Sequence, residues 1–382
     1  MSKIYIVGVG ITKIGRFFGK GLRELFAEAA SKALEEIGNE NVQALIVGNM
    51  TSSSLGEQDN LGALLADHAG LGKIPAFKVE AACGSGGVAV YTGYSLIASG
   101  LFDVVMVGGV EKQTEYPTRI VSKALAQAAD AEYELFYGIS FTGLNALIMR
   151  LYMNTYNVSR DEMSVWPVLM HKNASKNPYA QLRFEVTKDQ VAKSMVIADP
   201  IRLLDSSPIG DGAAALILAS EKVARKLSDT PIEIAGVGMA TDHIYVAYRE
   251  NLLSLEATVL SAKEAYRMAK TEPKDIDVAE VHDAFTVLGF INMEDLGFSE
   301  RGKTPKLMDE GRFWPGDKPT VNPSGGLKAR GHPVGATGVY QVAEVAMQLR
   351  GDFPGIKVEG DVGLAQSIGG LGTTVTTIVL KR

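Results

Sequence analysis

With 382 residues, 46% of them apolar and 21% charged, the chain is long enough for two structural units or one duplicated domain and too apolar for wholesale disorder. A formal net charge of −6 with no long basic run excludes the electrostatic footprint of a nucleic-acid binder. A single cysteine excludes an internal disulfide and a cysteine-built metal cluster, which fits a reducing, cytoplasmic setting.

The opening stretch MSKIYIVGVGITKIG is apolar but broken by Lys13, lacks the pattern of a signal peptide, and is expected to form a strand. No run approaches the roughly 18 apolar residues of a membrane span, so no membrane association is expected. The glycines at 8, 10 and 15 miss the G-x-G-x-x-G spacing of a dinucleotide site, and a strand-end turn is expected there instead. Next, LRELFAEAASKALEEIG has apolar residues at helical spacing, and VQALIVGNM has the pattern of a short buried strand. EAACGSGGVAVYTGYSLIASG then places Cys83 where a glycine-rich turn runs into a helix, and FDVVMVGGVE returns to a buried strand.

Residues 112–204 break this rhythm with Met-rich and aromatic helical patterns and are expected to form an inserted helical subdomain. SSPIGDGAAALILAS then resumes the first half, with Asp205 and Asp211 assigned to tight turns rather than to a carboxylate pair. From residue 232 the order repeats. IEIAGVG shares five of seven positions with IYIVGVG, LSAKEAYRMAKTEPKD is helical, and IDVAEVHDAF carries a short buried strand. GHPVGATGVYQVAEVAMQLRG is a second glycine-rich turn entering a helix, followed by the β-rich GLAQSIGGLGTTVTTIVL. Two similar halves of alternating strands and helices predict an α/β architecture with two mostly buried sheets, divided as 1–226 and 227–382.

Cys83 precedes a helix, whose N–H groups and dipole are expected to lower a thiol pKa and favour a nucleophile, the competing assignment being a buried structural cysteine. A nucleophile needs a base, and the chain has five histidines. His332 lies on the turn equivalent to that of Cys83, so a two-fold packing of the halves brings the two together. His282 ends an apolar strand pattern, where ligand-facing residues of α/β sheets sit. His68 and His243 have no supporting context and are assigned structural places. His171 is expected in a polar loop or helix end of the insertion, lining a cleft or facing solvent.

ACGSGG around Cys83, NPYAQ at 177–181, LLDSSPIGDGAAALIL at 203–218, VHDAF at 281–285 and NPSGGLKARGHPVGATG at 322–338 together resemble the thiolases, in particular the group that includes the thiolase domain of sterol carrier protein 2 and archaeal acetoacetyl-CoA thiolases. The resemblance spans essentially the whole chain. It implies the duplicated five-layered α-β-α-β-α thiolase fold with an inserted helical loop domain, and an acetyl-CoA C-acetyltransferase. Coenzyme A thioesters would be substrates, with no permanently bound cofactor and no metal. Cys83 would be the acylated nucleophile activated by His332. One oxyanion hole would comprise the N–H groups of Cys83 and Gly369, and the other His332 with His282. A homodimer or dimer of dimers is implied. So are a place in the mevalonate route and a complex with hydroxymethylglutaryl-CoA synthase and a small zinc-ribbon/OB-fold protein.

Two departures from the family pattern matter. The second cysteine of most thiolases is Ser367 here, and the cysteine of HDCF in other sterol-carrier-like members is Ala284. A serine hydroxyl titrates far above neutrality, so His282 or His332 is expected to take the substrate proton. The Cys-His-His set also resembles decarboxylating ketoacyl synthases, and a thiolase-fold assembly subunit with little activity is the non-enzymatic alternative.

Overall fold

The computed structural model describes residues 3–38 and 42–382; the first two residues of the N-terminal stretch lie outside them. Twelve strands follow in chain order: β1 Ile4–Ile11, β2 Ala44–Gly48, β3 Ala76–Val79, β4 Val104–Glu111, β5 Val196–Ala198, β6 Ile201–Arg202, β7 Gly212–Ser220, β8 Ile232–Thr241, β9 Val278–Glu280, β10 Thr320–Val321, β11 Val362–Gly369 and β12 Thr374–Lys381. Ten of them hydrogen-bond in the order β10-β9-β11-β12-β8-β1-β7-β4-β2-β3. Outward from the centre, β1-β7-β4-β2-β3 and β8-β12-β11-β9-β10 have the same sequence of two antiparallel and two parallel neighbours. The duplication seen in the sequence is therefore also a duplication of topology. The halves meet edge to edge through only Tyr5–Glu233 and Ile6–Ile232.

Two helices lie between the halves. Ser85–Ala98 and Thr337–Arg350 touch each other, and each packs on strands of both halves. Leu22–Glu36 and Glu256–Ala269 cover the outer faces, which completes the α-β-α-β-α layering. Because both faces of each sheet are covered, the strands are apolar on both sides. Along β7, Ala214, Leu216 and Leu218 face the central helices, while Ala213, Ala215, Ile217 and Ala219 face the outer helix. The helix Thr337–Arg350 is buried all round, as a central layer requires.

Two expectations need correction here. The repeated Gly-x-Gly does not form strand-end turns, since Gly8 and Gly10 lie within β1, and Gly236 and Gly238 within β8. They let the outer helices close on the sheets: a Cβ would sit 1.9 Å from the Ala29 carbonyl oxygen at Gly10 and 1.9 Å from that of Ser261 at Gly238. The insertion is not purely helical either. Its helices, among them Phe141–Tyr156 and Val165–Lys176, are followed in the chain by the small antiparallel pair β5–β6. Tyr152 and Trp166 anchor the insertion on the second half by packing against Phe290.

Candidate active site

Glycines bring the two equivalent turns together. A Cβ on Gly338 would lie 2.2 Å from the Gly87 nitrogen, and one on Gly86 would lie 2.9 Å from the Gly335 oxygen, so the first turns of the central helices meet backbone to backbone. Cys83 and His332 sit just ahead of those turns, one from each half. On the first turn, the Ser85 hydroxyl accepts from the Ala81 N–H at 2.9 Å and donates to the Ala82 carbonyl at 2.6 Å. Ala82 is held at φ +51°, in the left-handed region, immediately before the thiol. Gly369, at the end of β11, closes onto the same turn: a Cβ there would meet the Ala81 oxygen at 2.1 Å. Cys83 and Gly369 are thus neighbours.

His282 is fixed at three points. Its N–H donates to Gln366 Oε1 at 3.1 Å, its carbonyl accepts from Asn292 Nδ2 at 2.7 Å, and its ring Nδ1 accepts the Ile368 N–H at 3.2 Å. Because a backbone N–H can only donate, Nδ1 carries no proton, and the neutral ring holds its hydrogen on Nε2. His332 Nδ1 meets the Thr337 hydroxyl at 2.7 Å, and that hydroxyl also reaches the Pro333 carbonyl at 3.2 Å; when its single hydrogen goes to the carbonyl, it accepts from Nδ1 and Nε2 is left with a lone pair. That Nε2 is buried and has no protein partner. The rings meet edge to face with centroids 5.2 Å apart. Burial and the nearby Arg330 guanidinium push His282 down to about 3, and burial, His282 and Arg330 push His332 well below the usual imidazole range. Both rings are therefore neutral at pH 7.

The thiol behaves against expectation. Burial and the negative charge of Glu111 push Cys83 up to about 12, and the backbone N–H bonding that favours the thiolate is outweighed. At rest Cys83 is a thiol, and reaction through its sulfur requires that the proton be given away. Ser367 is buried with its hydroxyl unpartnered among Gly87 and Gly338, and Ala284 is a buried methyl.

Several residues lie elsewhere than expected. His171 is not in a loop but buried in the helix Val165–Lys176, with Nδ1 on the Phe184 carbonyl at 2.9 Å; burial and Lys328 push it down to about 4. His68 and His243 are exposed. Asp205 has the expected turn role, its carboxylate accepting from the Arg202 N–H at 2.8 Å in the turn Leu203–Asp205, and both Asp205 and Asp211 are also long-range anchors. Asp205 accepts from Arg160 at 2.9 Å and Thr286 at 3.1 Å, and Asp211 from Lys112 at 3.0 Å and the Gln113 and Thr114 N–H groups at 2.7 and 2.9 Å. Behind the histidines lies a buried Arg330–Glu344 ion pair with Glu280 beside it. Burial pushes both carboxyls up, and the charge of Glu344 adds to the shift at Glu280. Sequence reasoning also missed Glu111, whose buried carboxylate reaches the turn after His332. The available cue was an acidic residue ending an apolar strand, the same cue that singled out His282. Among the described residues no cluster of His, Cys, Asp and Glu could hold a metal, and no helix is long and apolar enough to cross a membrane.

A thiolase N-terminal domain matches residues 4–222, and a thiolase C-terminal domain-like region matches 238–382. The chain is 43% identical to an acetyl-CoA acetyltransferase of Methanothermobacter thermautotrophicus over the whole of both chains. It is 41% identical to one of Methanocaldococcus jannaschii, covering 100% of this chain and 99% of that one. Sterol carrier protein 2 of Bos taurus is 32% identical, covering 99% of this chain and 72% of the relative. A solved chain named "Ltp2-ChsH2(DUF35) aldolase" has the same fold, with a TM-score of 0.86, 23% identity and coverage of 100% and 98%.

Proposed function

The chain belongs to the thiolase family of acyltransferases, and from that premise we propose that it condenses two molecules of acetyl-CoA through an acetyl-Cys83 intermediate, with His332 as the single base of both half-reactions. In the first, the Cys83 sulfur attacks the thioester carbonyl while His332 Nε2 takes the thiol proton. The C–S bond to coenzyme A breaks, and the leaving thiolate recovers that proton from Nε2. In the second, the same Nε2 takes a proton from the methyl group of a new acetyl-CoA, and the enolate oxygen accepts from His282 Nε2–H. The enolate carbon attacks the acetyl-Cys83 carbonyl, whose oxyanion faces the Cys83 and Gly369 N–H groups. The new C–C bond forms, the C–S bond breaks, and the Cys83 sulfur takes the proton back from His332. The products are acetoacetyl-CoA and coenzyme A, with every proton returned.

The observation that carries this reading is the different Nδ1 partner of each histidine, the Ile368 N–H for His282 and the Thr337 hydroxyl for His332, with the buried His332 Nε2 left unpartnered. It supports His332 as base and His282 as donor without a second cysteine, with Ser367 walled in by glycines. Condensation of two thioesters is uphill, so a reaction consuming acetoacetyl-CoA must follow. We place a cytoplasmic hydroxymethylglutaryl-CoA synthase there, in a mevalonate route, with a homodimer or dimer of dimers and a zinc-ribbon/OB-fold protein in the assembly. The name of the similar solved chain joins two components, Ltp2 and ChsH2(DUF35), and supports the search for such a partner. The test is thiolysis of acetoacetyl-CoA and coupled condensation of acetyl-CoA, with and without those partners. Both activities should vanish in Cys83→Ser. Product from malonyl-CoA alone would favour the decarboxylating alternative, and no turnover with partners present would leave an assembly role.

A further inference from the structure

Glu111 ends β4, is completely buried, and uses both carboxylate oxygens to tie three segments together. Oε1 accepts from Asn49 Nδ2 at 2.9 Å, the Thr51 N–H at 3.0 Å and the Thr51 hydroxyl at 2.5 Å. Oε2 accepts from the Met50 N–H at 2.9 Å and the Gly335 N–H at 2.9 Å. Four of these five partners are N–H groups that can only donate, and with the Thr51 hydroxyl donating as well the carboxylate form satisfies all five. This donor set favours the ionised carboxylate, while burial pushes its pKa up. Such a charge is costly unless fully hydrogen-bonded, as it is here.

The last of those bonds spans 224 positions in the chain and crosses from one half to the other. Gly335 lies in the turn Val334–Ala336 directly after His332. That turn is pressed so closely on the loop after β2 that a Cβ at Gly335 would sit 2.5 Å from Asn49 Cα and 2.6 Å from Glu111 Oε2. Cys83 belongs to the first half and His332 to the second, so their alignment depends on what fixes the second turn to the first half. We propose that Glu111 is a positioning residue for acyl transfer, pinning the His332 turn of one half to the 49–51 loop and strand end of the other so that Nε2 meets the Cys83 thiol. Its charge has a second consequence: it opposes ionisation of Cys83, so the thiol loses its proton only as His332 receives it.

The inference rests on the acyl-transfer reading, and three variants separate the two. Glu111→Gln keeps an acceptor for Asn49 and Thr51 but turns an amide NH₂ toward the Met50 and Gly335 N–H groups. Single-turnover acetylation of Cys83 should fall on the order of 10²-fold, the penalty of misplacing reacting groups by about an ångström. The pH midpoint of Cys83 alkylation by iodoacetamide should drop by about one unit, because a nearby negative charge is gone. Glu111→Asp keeps the charge but not the reach, so acetylation should slow while the alkylation midpoint stays in place; this arm carries the test if the Gln variant does not fold. Ser220→Ala removes a bond to Asp103 at the opposite end of β4 from Glu111, so its melting temperature should fall while acetylation stays within about threefold, since side chains that do not fix the reacting groups are nearly silent in the rate. Wild-type acetylation rates in both Glu111 variants, or losses no larger than that of Ser220→Ala with an unmoved midpoint, would overturn the proposal. If the wild type itself is not acetylated, the functional reading fails, and the alkylation midpoints still decide for or against Glu111.

Discussion

Replacing His332 with Asn removes the buried Nε2 lone pair that receives the Cys83 proton in the proposed mechanism. In the intact protein, burial and Glu111 move the thiol from 9.0 to about 12. That change corresponds to about 4 kcal/mol against the free thiolate, a thousandfold in its population. With His332 present, attack need not pass through a free thiolate, because proton and sulfur move together. Without it, reaction must wait for hydroxide to make the anion. Reaction of Cys83 with iodoacetamide, followed by intact mass, should therefore slow on the order of 10³-fold at pH 7.5 in His332→Asn. Its rate should climb tenfold per pH unit from 7 to 9 without levelling. A variant that alkylates at the wild-type rate, or levels off below pH 8, would show that the thiol does not depend on His332.

His282→Ala should leave acetylation of Cys83 intact and slow condensation and thiolysis by about 10²- to 10³-fold, the usual cost of losing one oxyanion donor; equal loss in both half-reactions would remove its separate role. Gly338→Ala forces a methyl to 2.2 Å from the Gly87 nitrogen. Overpacking there should cost about 1–3 kcal/mol and lower the calorimetric melting temperature, and an unchanged melting temperature would contradict the contact between the central helices. His171 is neutral when folded, with its pKa at about 4 against an ordinary 6.5. The unfolded chain binds the extra proton first, so stability is lost as pH falls from 6.5 to 4, by about 3 kcal/mol for this group. Denaturant unfolding of His171→Gln should show a correspondingly shallower acid slope, and a slope equal to wild type would place His171 in water.

Much of this was legible because the site sits where strands run into helices through glycine turns. The turns carrying Cys83 and His332 are contiguous in sequence, and the repeat IYIVGVG against IEIAGVG announced that they are equivalents. What local patterns do not carry is which residues lie opposite one another. Gly8 and Gly10 look like turn formers until the carbonyl of Ala29 is seen against them. His171 sits among polar neighbours in sequence, yet it is buried against Phe184 and beside Lys328, a residue of the second half. Glu111 draws its donors from residues 49–51 and 335, and no window of sequence contains both. The sign of the Cys83 shift was missed for the same reason. A helix start is visible in sequence, but the burial and the buried carboxylate that outweigh it are not.

The most direct test of acetyl-Cys83 catalysis is the intact mass of the purified protein after exposure to acetyl-CoA and, separately, malonyl-CoA, with Cys83→Ala as control. One acetyl group gained from acetyl-CoA, and absent in the variant, is the predicted result. No adduct, even with partner proteins present, or an adduct that persists in Cys83→Ala, would contradict it.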